Sequence, residues 1–285
     1  MPKVMASDEQ ANSEVPQTLE GWYVLHDVYR LNWTAWRTLS SERRTALARE
    51  AAGWSRSLLE PQRGDTAVYS VISQKGDLMW VHYRATPDDI NAVELSFRQL
   101  GIYEFLEPSY SYFSVIEVSL YEVMAIAMKR LADRGLKPGT PEHEGAKAEE
   151  MERQKAHLSE RLYRKIPPQR YVCFYPMNKR RGEQVNWYAL PLAERRAMMR
   201  SHGTIGHKYH EIVTQVIAGS TGLDDWEWGV SLHSDDAVTF KKLVYEMRFD
   251  PASALYAEFG PFYLGIRTDA VGLEALLEGH LPTPP

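Results

Sequence analysis

Tyr175-Pro176-Met177-Asn178-Lys179 places a phenol, a thioether and an ammonium at every second position. On a β-strand that spacing aims all three side chains at one face. An ammonium there can hold a carboxylate, and a phenol can carry a proton or a radical. A histidine on a following helix, His202, can ligate a metal or haem iron. Gln215 adds a neutral hydrogen-bonding group. Each also has a plainer reading. Tyr175 fits aromatic packing, Lys179 and Arg161 fit solvated cations, and Gln215 fits an outward polar position on a strand. His202, with Gly203 able to stop a helix behind it, fits a group that compensates a helix dipole.

The elements that would position these groups follow from periodicity. In the first half, Gly21 to Val28 reads as a strand, and Ser40 to Leu59 as a helix opened by a serine cap. Thr66 to Ser73 and Leu78 to Arg84 form a hairpin around Lys75-Gly76-Asp77. Thr86-Pro87-Asp88-Asp89 starts a helix that runs to Gly101, and Tyr110 to Val118 is a strand. The order returns after residue 165. Tyr171 to Met177 is a strand, Pro191 into the His202 region is helical, and Ile212 to Gly219 and Trp226 to Leu232 form a hairpin. Ser234-Asp235-Asp236 opens a helix through Met247, and Tyr256 to Arg267 closes as a strand. Two β-α-β-β-α-β units make an α+β chain, a duplicated ferredoxin-like pattern whose sheets lie side by side or face to face. The divisions are a disordered N-terminus over 1–17, a first half over 18–132, a charged linker over 133–160 with a solvated helical stretch, and a second half over 161–285.

Composition bounds the chemistry. With 285 residues, 44% of them hydrophobic, and 16 Tyr and 8 Trp, the chain can bury a large core. A formal charge of −5, with no cluster of cations among aromatics, argues against nucleic acid and against a polybasic membrane anchor. The single Cys173 excludes an internal disulfide framework, a four-thiolate metal site and covalent haem attachment. Met1 to Val15 lacks the apolar core of a signal peptide and no run approaches a membrane span, so the expectation is a cytoplasmic protein. His202, His207 and His210 do not have the spacing of a helical zinc pair. Asp224-Asp225 and Asp235-Asp236 sit where aspartates cap turns and helices. Phosphate loops, nucleophile elbows and zinc-protease motifs do not occur.

Several longer runs resemble one family. They are Tyr171-Val172-Cys173-Phe174-Tyr175-Pro176-Met177-Asn178-Lys179, Asn186-Trp187-Tyr188-Ala189-Leu190-Pro191 and Asp225-Trp226-Glu227-Trp228-Gly229-Val230. With them go Glu246-Met247-Arg248-Phe249-Asp250, Ala257-Glu258-Phe259-Gly260 and Thr18-Leu19-Glu20-Gly21-Trp22-Tyr23. Together these resemble the coproheme decarboxylases of the chlorite-dismutase-like superfamily, from Thr18 to about Ile266. The resemblance implies a dimeric α+β barrel of duplicated ferredoxin-like units in a ring-shaped homopentamer. It also implies conversion of iron coproporphyrin III (coproheme) by hydrogen peroxide to haem b, with loss of two propionate carboxylates as carbon dioxide. It points to coproporphyrin ferrochelatase as a partner.

Carried over by position, the resemblance makes His202 the iron's axial ligand, Tyr175 the catalytic tyrosine and radical carrier, and Gln215 a distal glutamine. Lys179 is the second catalytic group, holding the reacting carboxylate and helping to move its proton. Arg161, Ser253 and Tyr121 match propionate-binding positions, and Met177 packs beside a reactive propionate. The linker over 133–160 is longer than the family pattern. Two rivals stay open: a chlorite dismutase, against which Gln215 stands where that activity resembles proteins with a distal arginine, and a haem-binding protein without turnover, which needs His202 and not Tyr175.

Overall fold

The computed structural model describes residues 18–59, 64–119, 128 and 130–281. Tyr121 and the segment 1–17 lie outside the described residues. The strands are β1 (Thr18–Leu31), β2 (Gly64–Ile72), β3 (Leu78–Arg84), β4 (Leu106–Ser119), β5 (Tyr171–Lys179), β6 (Thr214–Gly219), β7 (Trp228–Ser234), β8 (Ala257–Phe259) and β9 (Tyr263–Thr268). They form one antiparallel sheet in the order β7-β6-β4-β1-β3-β2-β9-β5-β8. A further pairing of β7 with β5 closes the other eight strands into a ring, with the short β8 alongside the end of β5. The first half contributes the run β4-β1-β3-β2 and the second β6-β7-β5-β9, and the two are stitched by β4–β6 and β2–β9. The halves therefore share one sheet instead of stacking two.

Alternation along the strands sorts side chains into three cores. Val24, Val28, Tyr69, Met79, Val81, Tyr112, Phe174 and Val216 fill the inside of the closed sheet. On the outer face of the first half, Leu78 and Trp80 pack beneath α2 (Ser41–Ser57) and α3 (Pro87–Phe97), so β3 is buried on both sides. On the outer face of the second half, Cys173, Tyr175, Val230 and Leu232 pack with Phe240 and Leu243 of α6 (Val238–Met247). The third core carries the site.

Helix ends follow their capping chemistry. Ser40 caps α2 and Thr86 caps α3, each accepting a backbone N–H three residues on. The short α1 (Trp33–Thr38) and the terminal α8 (Ala270–Leu277), which a reading by β-α-β-β-α-β units leaves out, dock Trp36, Leu273 and Leu277 into the first outer core. Helix α4 (Pro141–Leu162) starts at a Thr140 cap and runs through the expected linker boundary at residue 160. One side of its last turns packs inward, with Leu158 and Leu162 buried in the inner core, while Arg161 stays exposed. The expected strand Tyr256 to Arg267 is two strands. Pro261 has no N–H to give a ladder, and Gly260 passes so close to Pro176 and Trp226 that a Cβ would lie 2.7 and 2.9 Å from them. The helix expected from Ser234 begins only at Val238, because Ser234 ends β7 and Asp236 accepts from Val238 N–H across a turn. Among the described residues no helix is long and apolar enough to cross a membrane.

Gly64, at the head of β2, has φ +126°, and a Cβ there would stand 1.8 Å from the Tyr83 carbonyl oxygen. Gly64→Ala therefore combines a left-handed backbone with overlap and is expected to destabilise by about 2–4 kcal/mol. A shift of the urea midpoint without change of slope measures it. An unchanged midpoint would show that the β2–β3 start relaxes freely.

Candidate functional site

Pro176 interrupts β5 where its neighbour changes. The β5–β9 ladder ends at Phe174↔Tyr263 and the β5–β8 ladder begins at Met177↔Phe259, so the missing N–H falls in the gap. Pro176 instead accepts from Gly260 N–H at 2.9 Å. Around this point Tyr175 and Met177 share the outer face, opposite Val230 and Trp228 of β7.

Tyr175 is buried, its ring stacked on Phe262 at 4.5 Å and tilted against Phe259 at 5.7 Å. Burial pushes its phenol well above the ordinary range and the neighbouring Cys173 adds to this, against the pull of the Arg248 cation. The hydroxyl therefore keeps its hydrogen at physiological pH. Arg248 itself lies over the Phe259 ring at 4.1 Å.

His202 stands on α5 (Leu192–His207), which does not end at Gly203 but continues to His207, so the imidazole is not a helix-end group. Its Nδ1–H donates to Asp250 Oδ2 at 2.9 Å. A carboxylate only accepts, so this contact fixes the tautomer and leaves Nε2 with its lone pair. Burial lowers the imidazole pKa, outweighing the Asp250 bond that raises it, and the nearby Lys179 charge pushes the same way as burial. The ring is neutral at neutral pH and 29% exposed, while the Asp250 side chain is fully buried. Asp250 also begins the short helix α7 (Pro251–Ala254), where its carbonyl accepts from Ser253 and Ala254 N–H. That turn brings the Ser253 hydroxyl to 3.5 Å from His202 Nδ1.

Lys179, at the end of β5, is 8% exposed. Its ammonium donates to the Ala252 carbonyl at 2.7 Å and lies 4.4 Å from the Trp187 ring centre. Desolvation brings its pKa down to about 8, with Asp250 and Glu227 opposing the fall. Because the ordinary value is 10.5, the unfolded chain binds the proton more tightly between pH 8 and 10.5. The stability linked to Lys179 is thus present above that window and lost as pH falls through it. Wild type should gain stability relative to Lys179→Met as pH rises from 8 to 10.5, read as the difference between their urea midpoints. Parallel pH curves would place the ammonium in water.

The structure brings Tyr175, Met177, Lys179, His202 and Ser253 into one region. Gln215 sits on β6, exposed, opposite Leu232, which in turn pairs with Cys173. It shares the outer face with Tyr175 but touches none of these groups among the described contacts. Arg161 is exposed near the end of α4, and no described contact ties it to the cluster. Asp250, Glu227, Trp187 and Arg248 were given no role by the sequence reading. An aspartate before a proline reads as an ordinary helix cap, and nothing local marks it as a histidine's partner.

A face bearing a buried phenol and an ammonium, beside a neutral histidine held by a carboxylate, has the donor set for a haem-like ligand with acidic substituents. The sequence model of the chlorite dismutase family matches residues 43–268, and the chain belongs to that family. Among solved structures, it is similar to a protein from Thermus thermophilus described as a novel heme-binding protein, with 40% identity and TM-score 0.78 over 93% of this chain and 98% of that one. Two variant chlorite dismutases from Candidatus Nitrospira defluvii share the fold at 20% and 19% identity, with TM-scores of 0.67 and 0.68. They cover 92% and 95% of this chain and 96% and 99% of their own.

Proposed function

We propose that this protein binds iron coproporphyrin III and, with hydrogen peroxide, oxidatively removes two propionate carboxylates to give haem b. The observation that carries the reading is the arrangement of His202, fixed by Asp250 with Nε2 left free, beside a β5 face bearing Tyr175, Met177 and Lys179. The 40% identity to a protein described as heme-binding supports the porphyrin half of it. Each turnover balances as one propionate, one peroxide and one proton giving one vinyl group, one carbon dioxide and two waters. Bound iron porphyrin supplies the oxidising equivalents from peroxide.

The chain's own residues do the rest. Tyr175 would give up its phenolic hydrogen and take one back from the propionate side chain, whose carbon radical would pass its remaining electron to the oxidised porphyrin as the vinyl group forms and the carboxyl carbon leaves as carbon dioxide. Lys179 and Ser253 hold carboxylates through charge-assisted bonds, and Lys179 handles the proton. Arg161 and Tyr121 serve further propionates, Met177 packs beside the reacting one, and Gln215 lines the peroxide side without adding charge. His202 anchors the iron.

We read the two four-strand runs as a ferredoxin-like duplication, because β4-β1-β3-β2 and β6-β7-β5-β9 are the same order of first to fourth strands in each half. A ring-shaped homopentamer is the proposed assembly. Tyr245 and Phe249, 65% and 71% exposed, are the sort of large apolar groups that subunit contacts cover. Sedimentation as a stable monomer at micromolar concentration would count against it.

Two other readings have their own support. The family match admits a chlorite dismutase, and the heme-binding relative admits binding without turnover. Mass spectrometry of the coproheme complex treated with peroxide separates them. Loss of carbon dioxide and two hydrogens per propionate is expected; oxygen release from chlorite with coproheme unchanged would replace the proposal, and neither reaction would leave a binding protein.

A further inference from the structure

Glu227 is a buried carboxylate at the foot of β7, 5% exposed, and the chemistry proposed above gives it no part. Its position answers a break in the sheet. The β5–β7 ladder stops at Met177↔Trp228, and beyond it β5 turns to β8 through Asn178↔Glu258 and Lys179↔Ala257. Where the ladder bonds to β7 end, a reciprocal clamp takes over. Glu227 Oε2 accepts from the Lys179 backbone N–H at 2.7 Å, and the Glu227 N–H donates to Asn178 Oδ1 at 2.7 Å. Glu227 Oε1 lies 3.6 Å from Arg181 Nε, and the Tyr188 phenol, its pKa raised by burial and by this carboxylate, lies in its neighbourhood.

One acid thus gathers Lys179, Arg181 and Tyr188, residues at the end of β5 and on the connection that leads to α5 and His202. A clamp alone needs only a neutral acceptor, and burying a charge is costly unless the charge is used. That charge meets Arg181 at 3.6 Å and, through its hold on the Lys179 main chain, stands near the buried Lys179 ammonium, whose charged form it favours.

We propose that Glu227 is a positioning residue of this site: it fixes the main chain at Lys179 and supplies negative charge that keeps the Lys179 ammonium inside the protein for an anionic substrate group. The substrate half rests on the coproheme reading. Lys179 faces Asp250 before α7, Glu227 before β7, His202 on α5 and the ring of Trp187. Asp250 is the stronger influence on the Lys179 charge and also holds His202 Nδ1, while Glu227 is the acid tied to Lys179 through its own main chain.

The test uses the full chain without porphyrin. Lysines are labelled with [13C]methyl groups and the Lys179 signal is assigned by its absence in Lys179→Gln. Wild type should titrate at about 8. Glu227→Gln, which keeps an acceptor for the Lys179 N–H, should titrate about one unit lower while that amide stays protected from hydrogen exchange. Glu227→Ala should show the same lowered titration and lose the amide protection as well. A Lys179 titration unmoved in Glu227→Gln overturns the proposal, whatever porphyrins do.

Coproheme affinity separates this from the functional reading. At about pH 7.5 both Glu227 variants should bind coproheme about threefold more weakly, following the smaller charged fraction of Lys179, and bind its propionate ester as wild type does. A moved titration with unchanged coproheme affinity upholds the role of Glu227 toward Lys179 and removes Lys179 from the substrate site.

Discussion

Tyr175→Phe is expected to bind coproheme as wild type does and to fail to decarboxylate it. The substitution removes one hydroxyl and keeps the ring, so the stack on Phe262 at 4.5 Å and the contact with Phe259 survive. Any loss of fold stability should stay near about 1 kcal/mol. The chemical loss is of another order, because a phenol can give up a hydrogen atom under oxidising conditions and a phenyl ring cannot. Haem b formation should fall by about three orders of magnitude or more, roughly 4 kcal/mol of barrier. Burial strengthens the expectation: it drives the phenol away from ionising, so the group present near neutral pH is the one that still carries its hydrogen. Chromatography of the peroxide-treated complex decides the matter. Haem b at the wild-type rate would sink the radical role of Tyr175, and bleached coproheme without carbon dioxide would support it.

The chemistry of that prediction comes from the family resemblance, and the alternation in Tyr175-Pro176-Met177-Asn178-Lys179 supplies only the shared face, which needs no more than the geometry of a strand. The face shared by Tyr175 and Met177 was legible for that reason, as were Leu78 to Arg84 and the cap at Thr86. What sequence did not disclose lies in contacts between distant segments. Asp250 reaches His202 across 48 positions and Glu227 reaches Lys179 across the same interval. Neither residue has a neighbour in sequence that betrays a partner. Gly203 misled by its identity: glycine favours helix ends, but nothing forces a stop there, and α5 goes on to His207. Pro261 acted the other way, ending a strand that periodicity alone would have continued.

The structure also changes what the Lys179 assignment means. A lysine read as a solvated cation or a carboxylate holder is already engaged, by the Ala252 carbonyl and the Trp187 ring. An incoming carboxylate must share or displace the carbonyl contact. Since Ala252 follows Asp250 on the turn into α7, occupation of Lys179 is mechanically linked to the residue that holds His202.

His202→Ala is expected to abolish the axial imidazole signal of the bound iron porphyrin and to weaken binding by about tenfold to a hundredfold. Loss of the ring's packing should cost the fold little, since the ring is 29% exposed, and the destabilisation should come mainly from its partner. Its one short side-chain bond goes to Asp250, whose carboxylate would then be buried without a partner for Oδ2; its Oδ1 already has none among the described residues. For that reason the variant is best compared with His202→Ala/Asp250→Asn, which removes the orphaned charge. Free imidazole added to His202→Ala should restore the axial signal in resonance Raman or electron paramagnetic resonance, because the space and the Asp250 acceptor remain. Asp250→Asn alone should keep the ligand but shift the iron–histidine stretch, since an amide draws less on the Nδ1 proton than a carboxylate does. An unchanged axial histidine signal in His202→Ala would remove His202 from the iron. With it would go the argument that the Asp250 contact exists to free Nε2 for coordination.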